Sequence, residues 1–196
     1  MSEFAPYKTP VIPDFGEASD CVKNNEAFCV DWFVAQWPDV FWPALVSHVW
    51  MTVVAVAIGF IIAFVAAVLA FKRQVLTAPF GMVATFLYTL PPLALFQLLV
   101  PLTGLTFLTV EIALVCFTLV ILFRAVLAGL ASVPQDVIKA ARGMGLKESQ
   151  ILRKIELPLA IPSIISGLRI ATVLTVSIAT IAAFVVDDGL GSPCLL

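Results

Sequence analysis

Charge is scarce in this sequence: Lys, Arg, Asp and Glu together make up 12% of 196 residues. A soluble domain carries about 25%, so there is too little polar surface here to wrap a water-exposed globule. Histidine is rarer still, with His48 alone. No Ser–His–Asp or Cys–His pairing and no metal-ligand spacing forms around it, and it reads as an interfacial or packing residue. No Gly-rich loop ending in Lys-Ser/Thr is present, which excludes ATP binding by this chain itself. No basic stripe interleaved with aromatics occurs, which excludes a nucleic-acid partner. The first 40 residues lack a basic segment followed by an apolar core, so no cleavable signal peptide is expected. What the sequence has is apolar: 61% of residues are hydrophobic, more than one small core can hide, and a bilayer is the solvent that accepts them.

The few charges are unevenly spread. Residues 1–43 hold two basic residues (Lys8 and Lys23) against seven acidic ones, whereas residues 132–158 hold five basic ones (Lys139, Arg142, Lys147, Arg153 and Lys154) against three. Basic loops stay in the cytoplasm. Residues 1–43 are therefore expected outside, as an arm and interfacial segment, with residues 44–196 forming the membrane domain. Pro6, Pro10, Pro13, Gly16 and Pro38 predict an irregular arm over residues 1–38. Trp32, Trp37, Trp42 and Trp50 mark the outer headgroup level, where a short amphipathic helix fits. Of the four cysteines, Cys116 lies in an apolar run and reads as a small hydrophobe. On the outer side, Cys21 and Cys29 either form a disulfide or stay as two thiols.

Four spans are expected, at about 49–71, 78–100, 106–130 and 159–186, each near the 20 residues that cross about 30 Å of hydrocarbon. The first is uncharged and is stopped inside by Lys72 and Arg73. Ala55, Gly59, Ala63 and Ala67 in it, and Gly167, Ala171, Thr175, Ala179 and Ala183 in the last, recur every four residues, which lets another helix approach closely. Pro91 and Pro92 break the second stretch, either as a bend lining a transport path or as a rigid kink. In the third, Ile112 to Phe123 covers only about 18 Å, so Glu111 and Arg124 cannot both clear the lipid. Arg124 is expected to snorkel to the cytoplasmic side. Glu111 is open to two placements, the outer interface or a polar cavity. Arg169 reaches the inner interface or pairs within the bundle. Pro91, Pro92, Glu111 and Thr175 are the candidate path residues.

Residues 132–158 read SVPQDVIKAARGMGLKESQILRKIELP. Ser132 and Pro134 suit a helix start. One helix is expected to run to Met144, with a turn at Gly145, a second short helix over Ser149–Glu156, and an end at Leu157-Pro158 that launches the last span. The product is a charged helix–turn–helix on the cytoplasmic face.

This segment resembles the EAA loop of ABC importer permeases: Glu-Ala-Ala, three residues, Gly, nine residues, Ile, one residue, Leu-Pro. Ala140, Ala141, Gly145, Ile155, Leu157 and Pro158 stand at the matching positions, and Lys139 stands where the motif has Glu. The likeness runs from about His48 to Gly191 and is closest to the osmoprotectant group, through Leu90-Pro91-Pro92-Leu93-Ala94-Leu95 and Thr180-Ile181-Ala182-Ala183-Phe184. It implies an all-α polytopic bundle at the bacterial inner membrane, with Lys139, Ala140, Ala141, Gly145, Ile155, Leu157 and Pro158 docking into a cytoplasmic ATPase dimer. It implies Mg-ATP on that partner and no cofactor on this chain. The further partners it implies are a second permease subunit, the same or homologous, and an extracytoplasmic binding protein for glycine betaine, choline or carnitine. Such permeases continue past the Asp187-Asp188-Gly189-Leu190-Gly191 stretch into one more span. A non-transporting remnant therefore stands as one alternative expectation, and a self-contained channel or secondary carrier as another.

Overall fold

In a computed structural model, residues 29–186 and 188–194 are described, and they are helical almost throughout, with no strand among them. The helices are α1 (Val30–Gln36), α2 (Trp42–Lys72), α3 (Thr77–Thr89), α4 (Pro92–Thr103), α5 (Phe107–Ala131), α6 (Gln135–Gly143), α7 (Glu148–Ile151) and α8 (Leu157–Ile181). The all-α bundle that the resemblance implies is what the chain forms.

Three helical runs are long and apolar enough to cross a membrane: Val30–Lys72, Phe107–Ala131 and Glu148–Phe184. The expected second span is not a straight rod. It is a pair, Gln74–Thr89 and Pro92–Thr103, bent by 98°. The cause is local. A residue before proline is pushed out of the helical region, and Leu90 and Pro91 both precede one, with ψ of 131° and 139°. The two prolines also supply no N–H to carry the helix across the break.

Two other boundaries differ from expectation for one shared reason. The chain is already helical from Val30, so the irregular arm expected to residue 38 ends earlier, and Leu157-Pro158 does not end the second short helix. A wide π turn lies at each place: Trp37–Phe41, which contains Pro38 and precedes Pro43, and Leu152–Glu156, which precedes Pro158. The last N–H of each turn, on Trp42 and Leu157, bonds five residues back to Trp37 and Leu152. That shift moves aside the carbonyl that the proline ring would strike, so the helix continues. The Val30–Lys72 run of 43 residues is about 64 Å long, twice the hydrocarbon thickness. Its N-terminal end carries an aromatic cluster, with Phe33 and Phe41 rings 4.8 Å apart and Phe33 and Trp37 rings 5.3 Å apart. Residues 1–28, which include Cys21, lie outside the described residues; Cys29 is disulfide-bonded.

α2 and α5 run parallel and pack directly on each other, and α8 runs antiparallel against both. One core in the half nearer His48 joins Met51 and Ala55 to Leu95, Phe96, Leu114, Phe117 and Ala179. A second, nearer Lys72, joins Ala63, Ala67 and Ala70 to Phe123, Val126, Leu130, Ala160 and Ile164. Small residues set the spacing. A Cβ on Gly59 would overlap Thr118 Oγ1, and one on Gly167 would overlap Ala125 Cβ. Ala55, Ala63, Ala67, Ala171 and Ala179 are fully buried, so both four-residue stripes are packing seams. Ala183 lies off the seam, and Ala182 is buried in its place.

Candidate functional site

α5 and α8 are joined at one end of the bundle by a compact projection, residues 132–156. Gly145 turns it. With φ of +83°, this residue sits in the left-handed region that glycine enters without strain. A Cβ there would meet nothing within 4 Å, so the requirement is one of backbone and not of space. The Gly145 N–H bonds Arg142 O and the Leu146 N–H bonds Ala141 O, at 2.9 and 3.2 Å, which is the Schellman closure of a helix end. Beyond the turn, Gln150 Oε1 accepts the Lys147 N–H at 2.9 Å and starts α7.

The matched loop positions divide into two sets. Ala141 is buried with Val133, Ile138 and Ile151 in a small core of the projection's own, with Leu146 and Ile155 packed against it. Leu157 is half-buried where α8 begins. Lys139, Ala140, Gly145 and Pro158 are exposed. Lys139 pairs loosely with Asp136 at 3.7 Å, both largely in solvent. Val137 and Met144 are also exposed, Met144 by 73%, so the outer surface is small and apolar around the turn with charge at its margin.

An ion pair that the motif does not include braces the turn. Arg142 Nε and Nη2 donate to Glu148 Oε1 and Oε2 at 2.8 and 3.2 Å. This fork-to-fork pairing spans Gly145 and raises the guanidinium's affinity for its proton, first through the hydrogen bond and then through the charge. The six-residue spacing across a glycine was the available signal for it. Between this projection and the ends of α2 and α5 lies a cavity of about 940 Å³, lined by Lys72, Gln74, Gln135, Arg142, Glu148 and Glu156 among others.

The candidate path residues are not brought together. Pro91 and Pro92 form the break between α3 and α4. Thr175 is buried in the α8 seam, its hydroxyl donating to Ala171 O at 2.8 Å. Glu111 is 7% exposed, and neither carboxylate oxygen has a hydrogen-bond partner, so it is packed among the helices near the start of α5. None of the four lines the cavity beside the projection. His48 acts as a bracket. Its Nδ1 accepts the Leu190 N–H at 3.3 Å and its Nε2 donates to Val176 O at 3.1 Å, tying α2 to α8 and to the loop after it. Arg124 turns across to α3, where Nη2 donates to Thr85 Oγ1 at 2.8 Å, and does not turn down to the inner surface as expected.

A family model described as "binding-protein-dependent transport system inner membrane component" matches residues 55–196. The osmoprotectant import permease protein OsmW of Salmonella typhimurium is 34% identical over 150 residues, covering 74% of this chain and 70% of the relative. The glycine betaine/carnitine/choline transport system permease protein OpuCB of Bacillus subtilis is 30% identical over 146 residues, covering 74% and 67%. Among solved structures, the MetNI methionine ABC transporter in an inward-facing conformation aligns with a TM-score of 0.68 at 22% identity, covering 80% of each chain; at that identity the match speaks for the fold.

Proposed function

The chain belongs to the family of binding-protein-dependent transport system inner membrane components, and from that premise we propose that it imports a small quaternary amine osmoprotectant such as glycine betaine, choline or carnitine. In this reading an extracytoplasmic binding protein delivers the solute. A second permease subunit, the same or homologous, completes the pore, and a dimer of cytoplasmic ABC ATPases holding Mg-ATP drives it. The N-terminus lies outside and residues 132–156 lie in the cytoplasm. The solutes after which OsmW and OpuCB are named support the solute class.

The observation that carries the coupling role is mechanical. The projection has its own core and passes without a break through Leu152–Glu156 into α8. A push on its exposed tip therefore reaches a spanning helix as a rigid-body movement. Gly145→Val tests this, because a β-branched residue at positive φ distorts the turn while leaving the spans alone. In vesicles holding the whole complex, uptake is expected to fall about tenfold or more while ATP hydrolysis continues. Unchanged uptake would overturn the reading, and solute flux from vesicles holding this chain alone would point to a channel.

A further inference from the structure

The sequence places Arg124 seven residues before the inner end of α5, about 10 Å into the bundle. This depth is shared with tight helix packing: Gly129 and Ala125 on the same helix meet Ala160 and Gly167 of α8. A guanidinium carries five N–H donors and no acceptor. One donor is used on Thr85. Among the described residues no carboxylate pairs with Arg124.

Arg124 is exposed, and it lies in an open surface groove with Thr77, Ala78, Gly81, Met82 and Thr85. A Cβ added at Gly81 would meet nothing within 4 Å, so there is room beside the guanidinium. A charge at this depth, without a counter-ion but with spare donors and open space, is arranged to meet an anion. Its planar fork matches a carboxylate or a phosphate. The direction of the side chain separates these two sources. Thr85 stands eight residues along α3 from Thr77, about 12 Å above the helix start. Bonding there holds the guanidinium level with Thr85 and away from the α3 start, where the phosphates of an inner leaflet would lie.

We propose that Arg124, held by Thr85, is a carboxylate subsite on the route of the transported solute. The inference rests on the import reading above and deepens it. Glycine betaine and carnitine carry a carboxylate and choline does not, so this position discriminates within the solute class.

Two arms test it on the whole transporter in vesicles. In the first, Thr85→Cys places a thiol beside Arg124, with the unsubstituted protein as control for the native cysteines. A methanethiosulfonate bearing a sulfonate is expected to react about tenfold faster than one bearing a trimethylammonium, and adding Arg124→Gln should erase that preference. Equal rates, or no reaction, would overturn the anion site. A sulfonate reaction blocked in anionic lipid and restored in zwitterionic lipid would assign the position to a headgroup phosphate and overturn the solute role. In the second arm, Arg124→Gln is expected to lower the ratio of glycine betaine to choline uptake about tenfold, and an equal fall for both solutes would count against the proposal. If the unsubstituted complex moves neither solute, the import reading fails, and the thiol arm still decides the anion site.

Discussion

His48 and Glu111 are polar side chains buried in the same half of the bundle, 2% and 7% exposed, with opposite hydrogen-bond accounts. Both ring nitrogens of His48 are engaged, and both oxygens of Glu111 are without partners. A buried polar group stabilises only when it is paired, by about 1 kcal/mol per bond, and costs about 1–3 kcal/mol when it is not. Opposite responses should follow. His48→Leu loses two ties and should lower stability by about 2 kcal/mol, whereas Glu111→Met should raise it by about 1 kcal/mol. Thermal unfolding in detergent checks both; a lower Tm for Glu111→Met would mean that its carboxylate has a partner. The reading of a solitary histidine as a packing residue survives the structure. Glu111 could not be placed from sequence because twelve apolar residues between two charges fix their separation along the helix but not which of them sinks into the packing.

At the scale of elements, apolar length and proline position carried most of what could be read. The three long apolar helices were legible from length and hydropathy, and the Gly145 turn and the Leu90-Pro91-Pro92 break from the backbone limits of glycine and proline. The two π turns were not. Proline in a sequence signals a missing donor, but whether the chain breaks or widens by one residue depends on what the helix on either side must pack against. At Leu90-Pro91-Pro92, where two prolines adjoin, the chain breaks; at Pro43 and Pro158 it widens. If the 98° bend is imposed by the two rings and is not a product of packing, Pro91→Ala with Pro92→Ala should let the arms open. Spin labels at the exposed positions Val83 and Leu98 should then move apart by several ångströms, roughly one to two helical turns at 5.4 Å each. An unchanged distance would show that the surrounding helices hold the bend.

For the whole molecule, the question is what holds spanning helices together when lipid is as apolar as their side chains. Close backbone approach supplies the answer, and the seams show where it acts. Gly59 meets Thr118 between α2 and α5, and Gly129 and Gly167 meet Ser163, Ala160 and Ala125 between α5 and α8. Periodicity alone made these stripes visible. Which stripe faces which helix was not visible, because any two small faces are equally able to meet; the parallel course of α2 and α5 was, because the second apolar stretch was expected to return the chain to the side it came from. The contact of Gly167 with Ala125 offers a test that separates packing from composition. Gly167→Ala adds a methyl where Ala125 Cβ already stands and should cost about 1–3 kcal/mol by overpacking. Adding Ala125→Gly moves the one available methyl to the other side of the seam and keeps the volume. The double variant should therefore regain most of the loss, less the roughly 1 kcal/mol that a new helical glycine costs. Additive losses in thermal unfolding would mean that α5 and α8 do not meet at this point. The projection that joins them would then have no rigid pair of spans to move.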